Sequence, residues 1–405
     1  MSGLATELLA DLPVDTAVVC PACATRGLVI FHEQESIPAH SCRLLSSRTE
    51  AIEFPTGSLR LGICTHCGFI TNAAYDASLQ SYFVDYEETQ GFSPRFRTFM
   101  RDLACRWIDR YDLRGKSVLE IGCGKGEFLL LMLELGVSRG IGIDPAVVLD
   151  RVDSPAADRA EFIRDLYSDR YTHLSADAVV CRHTLEHIQP VAAFLSLIRE
   201  SVANRRDAVV LFELPDAMRV LRECAFWDVY YEHCSYFTPG SLSRLFRACG
   251  LNVLTVELDY DDQYILLEAR LSHTTDGRLP LEDSIEEIAE AAVRYRTNLE
   301  ATKERWRREI AEVRGGGGRA VVWGSGSKGV AFLTTLGISD EISYVVDINP
   351  YKQGKFMAAT GQEIVAPEFL CNYRPDLVVV MNPIYVDEIG LDLARLGVDA
   401  RVLPV

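Results

Sequence analysis

The most informative stretch of the sequence is Lys116-Ser-Val-Leu-Glu-Ile-Gly-Cys-Gly-Lys-Gly-Glu127. An apolar run ends there in glycines at alternate positions, and a second apolar run, Phe128-Leu-Leu-Leu-Met-Leu133, follows. This order predicts a strand, a tight turn and a helix. A turn without Cβ atoms lets a ligand approach the main chain, and the N–H groups that open a helix attract anions. The stretch therefore predicts a ligand-binding turn in an α/β domain.

The acids around this turn narrow the ligand. The apolar run Gly140-Ile-Gly-Ile143 ends in Asp144, where a carboxylate at the end of a second strand can hold a ribose diol. With Glu120 ahead of the turn, the pattern Glu-x-Gly-x-Gly-x-Gly resembles that of class I S-adenosylmethionine (SAM) methyltransferases. A dinucleotide site, whose third glycine comes one residue later, and a purely structural turn are the alternatives. The residues predicted to bind SAM are Glu120, Gly122, Gly124, Gly126, Asp144 and Asp165, an acid placed to meet the adenine amino group.

Length, composition and charge set limits on the function. At roughly 150 residues a domain, 405 residues predict two to three domains. A net charge of −17 argues against a nucleic-acid partner, because it repels a phosphate backbone. No apolar run approaches the ~18 residues of a membrane helix. The first fifteen residues carry acids and no Lys or Arg, so we expect no membrane segment, no secretion signal and a cytoplasmic location.

Two cysteine pairs in the N-terminal part predict a metal site. Cys20-Pro-Ala-Cys23 and Cys64-Thr-His-Cys67 are C-x₂-C motifs whose thiolates can converge on one tetrahedral zinc ion. Four buried thiols and a redox motif are the alternatives. Spare ligands in the segment between the motifs are His32, His40 and Cys42. We expect a structural zinc that stabilises a small β-rich domain.

A second informative stretch is Trp227-Asp-Val-Tyr-Tyr-Glu-His-Cys-Ser-Tyr-Phe237. It combines phenols with Glu232 and His233, which predicts an acid/base cluster with an imidazole that titrates near neutral pH. A hydrophobic flap with a buried structural histidine is the alternative. His183, Glu186, His187 and Glu213 follow predicted strands, and the carboxyl ends of such strands form the active-site edge of an open α/β sheet. Tyr82 and Tyr86 precede this domain in a loop suited to a lid or to a substrate contact, and surface rings that pack on the next domain are the alternative.

The C-terminal part repeats the strand, glycine turn and helix pattern. A charged segment with helical spacing, 281–314, ends at Gly315-Gly-Gly-Gly318, and Ala320-Val-Val-Trp-Gly-Ser-Gly-Ser-Lys-Gly329 follows. A nicotinamide site is one interpretation of this turn. The lysine inside it favours an anionic phosphate ligand instead.

Taken together and in this order, the motifs resemble one family over nearly the whole chain. It is the zinc-containing sugar C-methyltransferases, which act on nucleotide-linked 4-keto-deoxysugars. The motifs that carry the resemblance are the cysteine pairs, the Glu-x-Gly-x-Gly-x-Gly turn, Tyr-Tyr-Glu-His, and a terminal domain with Gly324–Gly329, Asp347, Asn349-Pro350, Lys352-Gln-Gly354 and Asn382-Pro383. Residues 36–72 and 82–96 match the family loosely, which leaves the acceptor open.

The resemblance implies a fold and a set of domains. The predicted fold class is α/β, with a zinc-binding domain (1–80), a class I methyltransferase Rossmann-like domain (81–280), a connecting helix (281–314) and a second Rossmann-like α/β domain (315–405) that holds the nucleotide-sugar. The cofactors it implies are SAM and a structural Zn²⁺ at Cys20, Cys23, Cys64 and Cys67. The partner it implies is a small-molecule substrate, with neither nucleic acid nor membrane.

The resemblance also implies roles for individual residues. His233 is the expected base, Glu232 its orienting partner, and Tyr230, Tyr86 and His187 the oxyanion or substrate contacts. The expected substrate-binding residues are Gly324, Gly326, Lys328, Asp347, Asn349 and Asn382. The predicted reaction is C-methylation next to a ketone through an enolate. The alternatives are an O- or N-methyltransferase on a sugar or other metabolite, a nicotinamide-dependent oxidoreductase using the C-terminal turn, and a non-enzymatic zinc scaffold.

Overall fold

The computed structural model describes residues 3–80, 85–151, 154–205, 207–272 and 277–405. Among these residues, no helix has the length and apolar character needed to cross a bilayer. Tyr82 lies outside the described residues. The α-helices of the described chain are α1 (Gly3–Leu8), α2 (Arg48–Ile52), α3 (Pro94–Arg110), α4 (Glu127–Glu134), α5 (Val191–Val202), α6 (Ala217–Glu223), α7 (Pro239–Ala248), α8 (Ile285–Gly315), α9 (Ser327–Leu336), α10 (Leu370–Tyr373) and α11 (Val386–Arg395).

The N-terminal sheet is antiparallel and takes its last strand from a distant part of the chain. Its strands, in spatial order, are β1 (Val14–Val19), β2 (Arg26–Pro38), β3 (Thr56–Ile63), β4 (Ile70–Asn72) and β10 (Ser235–Tyr236). Because Ser235 pairs with Thr71, the segment that carries Tyr230 and His233 is fastened to this sheet. The predicted domain limits separate these segments in sequence, whereas the fold joins them in space.

The central sheet contains the glycine turn predicted from the sequence. Its strands are β5 (Ser117–Ile121), β6 (Arg139–Ile143), β7 (Ala160–Ile163), β8 (Ala178–Arg182), β9 (Val209–Pro215), β11 (Leu251–Asp259) and β12 (Tyr264–Leu271). They lie in the order β11-β12-β9-β8-β5-β6-β7, and β12 is antiparallel to both of its neighbours. The order of the parallel strands reverses between β5 and β8, which is where open α/β sheets bind ligands.

The C-terminal sheet is parallel throughout. Its strands are β13 (Ala320–Trp323), β14 (Tyr344–Val346), β15 (Glu363–Val365), β16 (Leu377–Val380) and β17 (Arg401–Pro404). They lie in the order β15-β14-β13-β16-β17. This arrangement confirms the predicted strand, glycine turn and helix of this part, and it puts the turn at the switch point between β13 and β16.

Helix α8 connects the central and C-terminal sheets. In the core it packs on α9 and on the segment that contains Trp227. It begins later than predicted, at Ile285, because Ser284 and Glu287 form a reciprocal capping box. The ring of Trp306 lies 5.2 Å from that of Phe332 on α9 and 6.4 Å from that of Trp227, between centroids. One apolar core therefore runs from the N-terminal sheet through α8 to the C-terminal sheet.

The fit of Tyr231 against β3 gives a stability test. A Cβ on Gly57 would lie 2.2 Å from the Tyr231 ring, which is fully buried. We expect Gly57→Ala to lower the free energy of unfolding by about 1–3 kcal/mol, because a rigid ring and a strand would have to separate. Urea unfolding measures this change. The matched control is Gly390→Ala in α11, where a Cβ has no neighbour within 4 Å and helix propensity predicts a gain of about 0.5–1 kcal/mol.

Candidate active site

One cavity of about 810 Å³ lies where the carboxyl ends of the central strands face the glycine turn of the C-terminal sheet. Its volume is at the upper end of the range for small-molecule sites. Among the predicted site residues, those that line it are Tyr86, Glu120, Gly122, Gly124, Asp144, Asp165, His187, Tyr230, His233, Gly324, Gly326, Lys328, Asp347, Asn349 and Asn382. Gly126 and Glu232 do not line it.

The glycine turn after β5 is formed as the sequence predicts. Gly122 and Gly124 have φ angles of +71° and +53°, in the region that favours glycine. A Cβ on Gly122 would lie 1.9 Å from Thr184 Oγ1. Asp144 accepts hydrogen bonds from the N–H groups of Gly124 (3.0 Å) and Ala146 (2.7 Å). The acid at the end of β6 therefore fixes the turn while it faces the cavity.

Gly126 has a packing role in this turn. Its φ is +86°, and a Cβ there would lie 2.6 Å from the Phe162 ring. Because Gly126 has no side chain, β7 can approach the start of α4. Gly126 was predicted to contact the ligand, and it contacts the Phe162 ring instead.

Acidic side chains outnumber basic ones in the half of the cavity that is lined by the glycine turn after β5. Burial raises the pKa of Glu120 to about 8 and that of Glu88 to about 7, and it raises the pKa of Asp144 as well. The buried ammonium of Lys125 donates to the carbonyls of Tyr86 (2.8 Å) and Ala146 (2.9 Å). The half is therefore suited to a ligand that brings positive charge.

Asp165 sits at the outer edge of the same half. Its Oδ2 accepts from Tyr171 Oη (2.6 Å) and Arg170 (2.9 Å), and its Oδ1 accepts from the N–H of Leu166 (2.8 Å). These contacts hold the carboxylate at the cavity lining.

Four of the predicted catalytic side chains line the cavity, and two of them, Tyr230 and His233, come from the flap, which is the segment Trp227–Phe237. The His233 ring lies 4.2 Å from the Tyr230 ring and 4.8 Å from the His187 ring, between centroids. The ring of Tyr86 comes from a separate loop and lies 6.0 Å from that of His40. Burial, reinforced by His187 and His183, holds the pKa of His233 well below its usual range. Its imidazole is therefore neutral at neutral pH, which corrects the expectation that it titrates there.

Glu232 does not orient His233, which corrects a second prediction. Its Oε1 lies 2.9 Å from His40 Nδ1 in a pair that is buried on both sides. Adjacent residues of the flap point in different directions, so Glu232 faces the N-terminal sheet while His233 faces the cavity. The carboxylate near the imidazole belongs to Glu186, because ligand atoms of Glu186, His187 and His233 all lie within 4.8 Å of one another.

A buried ion-pair network stands behind this cluster. Arg182 forms a bidentate pair with Glu213 (2.6 and 3.2 Å), and His183 Nε2 lies 2.7 Å from Glu213 Oε1. Burial opposes protonation of His183, but Glu213 and Glu186 outweigh it and raise its pKa to about 9. His183 lines the cavity as a cation. Because His183 follows β8, the sequence predicts its place at the active-site edge of the sheet. The sequence does not predict its charge, which depends on Glu213 in β9.

In the C-terminal half, the predicted Lys328 and a second lysine, Lys352, both line the cavity at the glycine turn. Lys328 forms an ion pair with Asp228 of the flap, so its ammonium connects two parts of the chain. Lys352 lines the cavity, and its Nζ lies 4.0 Å from both Asp347 Oδ2 and the place a Cβ on Gly326 would take. Helix α9 begins there without a side-chain cap, which leaves its first N–H groups directed at the turn.

Three predicted substrate-binding residues also brace this half. Asp347 accepts from the N–H groups of Ser325 (3.0 Å) and Asn349 (2.8 Å). The Asn349 side-chain amide donates to Glu87 Oε1 (2.9 Å), and that of Asn382 accepts from Gln263 (3.0 Å). Asn349 and Asn382 therefore hold loops from the central part of the chain against the C-terminal sheet, whereas Asp347 braces the C-terminal part itself.

The four predicted metal ligands converge outside this cavity. Sγ–Sγ distances are 3.7 Å for Cys20 and Cys67 and 3.6 Å for Cys23 and Cys64. Sulfurs bound at about 2.3 Å around a tetrahedral zinc ion are about 3.8 Å apart, whereas disulfide sulfurs are about 2.05 Å apart. The spare candidates lie elsewhere, because His32 contacts Tyr295, His40 pairs with Glu232 and Cys42 contacts Ser327.

Family models match both α/β parts of the chain. A model described as a methyltransferase domain matches residues 96–256, and one described as a C-methyltransferase C-terminal domain matches residues 284–397. The chain is similar to C-methyltransferase NovU of Streptomyces niveus, with 30% identity over 309 residues that cover 72% of each chain.

Other similarities are confined to a shorter part of the chain. Ribosomal protein L11 methyltransferase of Yersinia pestis is 32% identical over 100 residues, which are 24% of this chain and 34% of its own length. The solved structure of Burkholderia thailandensis 1,6-didemethyltoxoflavin-N1-methyltransferase aligns with 44% of this chain and 78% of its own, with 19% identity and a TM-score of 0.33.

The charge of His183 can be measured directly. We expect its imidazole to titrate at about pH 9 in NMR spectra of ¹³C-labelled histidine, assigned with His183→Asn, since asparagine tolerates the positive φ of 45° at this position. The folded pKa lies above the unfolded value, so the charge stabilises the fold fully below about pH 6.5 and loses its effect as the pH rises through 9. The stability difference between wild type and variant should therefore be at most about 3 kcal/mol at low pH and shrink towards pH 9. A pKa near 6.5 would contradict the network.

Proposed function

The chain belongs to the C-methyltransferase family, and from this premise we propose that it methylates a carbon next to a ketone in a nucleotide-linked deoxysugar. It is a SAM-dependent methyltransferase enzyme. The observation that carries the finer proposal is that two glycine turns, one from the central sheet and one from the C-terminal sheet, line the same cavity as Tyr230 and His233.

The acidic half of the cavity suits the methyl donor. SAM supplies an electrophilic methyl group on a sulfonium when it is bound. Gly122 and Gly124 let its main body approach the turn, Asp144 is placed for the ribose diol, and Asp165 is placed for the adenine. Glu120 adds a buried carboxylate whose Oε2 has no hydrogen-bond partner among the described residues. The positive charge of the donor compensates these acids.

The flap suits the removal of a proton from carbon. His233 is neutral and can accept a proton from the carbon next to the ketone, which leaves an enolate. The enolate carbon then forms a bond to the methyl group as the bond between methyl and sulfur breaks, and S-adenosylhomocysteine leaves. Proximity and alignment of the two substrates supply much of the rate enhancement.

A low pKa in His233 is compatible with this role. Burial disfavours an isolated imidazolium, but a proton that arrives as an enolate forms beside it creates an ion pair instead. A carboxylate oxygen of Glu186 lies within 4.8 Å of a ring nitrogen of His233, and Glu186 Oε1 lies 3.6 Å from the Nδ1 of the cationic His183. Tyr230 and Tyr86 present phenols that can donate to the enolate oxygen.

The C-terminal half suits the nucleotide phosphates. Uncapped N–H groups at the start of α9 and the ammonium of Lys352 converge on the turn of Gly324 and Gly326. Main-chain donors, a helix N-terminus and a buried lysine together form an anion-binding arrangement. The ion pair of Lys328 with Asp228 connects this half to the flap.

Mass spectrometry of the products tests the proposed reaction. With methyl-labelled SAM and a panel of nucleotide-linked ketodeoxysugars, we expect one label on carbon in at least one sugar. His233→Gln should lower turnover by roughly 10²–10⁴-fold, because it removes the base, and leave the dissociation constant of SAM within about twofold.

Controls separate the alternatives. Glu232→Gln changes the residue that precedes His233 in the flap and whose carboxylate pairs with His40. Glu186→Gln removes the carboxylate that lies near the His233 imidazole. We expect the Glu186 variant to lower kcat at unchanged SAM affinity. A label on oxygen or nitrogen, or turnover that survives His233→Gln, would favour an O- or N-methyltransferase.

We also propose that Cys20, Cys23, Cys64 and Cys67 bind one structural zinc ion. The sulfur spacing fits a tetrahedral site, and all four Sγ atoms lie within 4.8 Å of one another. Four thiolates satisfy the metal and leave no open position, so the ion would stabilise the sheet and take no part in the reaction. The N–H groups of Ala24 and Gly68 close the two turns on the carbonyls of Cys20 and Cys64 (2.9 and 2.8 Å).

The zinc proposal predicts one metal ion per chain by elemental analysis of the purified protein. Cys64→Ser should remove it and lower the melting temperature, because metal binding contributes to folding. Cys105→Ser, outside the cluster, is the control and should keep the metal. Protein that is metal-free and equally stable, or a Cys64→Ser variant that retains zinc, would contradict the proposal.

A further inference from the structure

Glu88 is a cavity residue that the sequence motifs do not include. It lies in the loop between the described residues Asp85 and Phe92, just before α3, and lines the same half of the cavity as the first glycine turn. Its Oε1 lies 2.7 Å from the place a Cβ on Gly124 would take. The carboxylate therefore stands over the bare Cα of the turn, against the surface that the donor occupies.

The Glu88 carboxylate is paired with Lys125, but without a hydrogen bond from its ammonium. Lys125 donates to two carbonyls, and its Nζ lies 3.8 Å from Glu88 Oε2, beyond hydrogen-bond distance. Asp144 accepts from two main-chain N–H groups. Glu88 Oε2, which faces Lys125, and Glu120 Oε2 are buried and have no hydrogen-bond partner among the described residues. A buried acceptor of this kind is costly unless a ligand supplies a donor.

SAM carries the matching group. Its amino-acid arm ends in an α-carboxylate, which a carboxylate repels, and an α-ammonium with three N–H donors, whereas its sulfonium has no hydrogen to donate and its ribose diol matches Asp144. We propose that Glu88 binds the α-ammonium of SAM above Gly124. This inference rests on the SAM-dependent activity and is independent of the identity of the acceptor.

The loop holds Glu88 in place before the ligand arrives. Its neighbour Glu87 is buried, pairs with Arg151 (2.7 Å) and accepts from Asn349 (2.9 Å). The carbonyl of Tyr86 accepts from Lys125 (2.8 Å). A carboxylate on a fastened loop loses little freedom on binding, which favours affinity. Tyr86, Glu87 and Glu88 together connect the proposed donor site, the proposed acceptor side and the C-terminal sheet.

Binding measurements on Glu88→Gln test the assignment without any acceptor. Isothermal titration calorimetry would compare SAM, S-adenosylhomocysteine and 5′-methylthioadenosine, which lacks the amino-acid arm and its ammonium. We expect the dissociation constants of the first two to rise roughly 10- to 100-fold, since a hydrogen bond to a charged group is lost. The dissociation constant of 5′-methylthioadenosine should stay within about twofold.

Two further variants complete the test. Glu88→Asp keeps the charge and should restore part of the affinity. Glu134→Gln removes one charge from an exposed site at the end of α4 and should leave all three constants unchanged. Equal weakening of all three ligands, weakening of SAM alone, or no weakening would each overturn the proposal. Failure of the wild type to bind SAM would instead count against the methyltransferase site as a whole.

Discussion

The structure depends on how charge is buried around one cavity. Arg182 and His183 are held against Glu213, Glu232 is held against His40, and Lys328 is held against Asp228. Each pair joins groups from different strands or loops. The pairs hold these elements together, because an unpaired buried charge would destabilise the fold by several kcal/mol. The pairs therefore determine which side chains remain available to ligands. In the donor half the acids Glu88, Glu120 and Asp144 line the cavity, and in the C-terminal half Lys352, 4.0 Å from Asp347, lies beside the start of α9.

This division of charge supports the proposal that one cavity binds both a cationic methyl donor and a phosphate-bearing acceptor. The acids Glu88, Glu120 and Asp144 favour a cationic donor and disfavour a phosphate. The start of α9 favours a phosphate and disfavours a second cation. Tyr230 and His233 lie in the same cavity on a flap that β10 fastens to the N-terminal sheet. The N-terminal sheet thus has a mechanical role: it fixes the flap on which the proposed chemistry depends.

The loop before α3 adds a connection between these parts. Within three residues, Tyr86 lines the cavity, Glu87 accepts a hydrogen bond from Asn349 of the C-terminal part, and Glu88 lies over Gly124. The proposed ammonium contact therefore ties donor binding to the position of the phenol of Tyr86, through a segment in which the sequence shows no clean periodicity.

Local patterns in the sequence predict the main elements and many residues of the cavity, although Glu88 lies outside every motif and Gly126 and Glu232 do not line the cavity. Glycines at alternate positions after an apolar run predict the turns after β5 and β13, because few other residues adopt those backbone angles, and the cysteine spacing predicts the sulfur cluster. Pairing between distant residues could not be predicted in this way. Glu232 was expected to face His233 and instead faces His40, Lys328 is engaged by Asp228 while Lys352 lies at the turn, and Gly126 packs on Phe162. Spacing along the chain determines backbone conformation, whereas the direction and charge of a buried side chain depend on partners brought together only when three sheets pack.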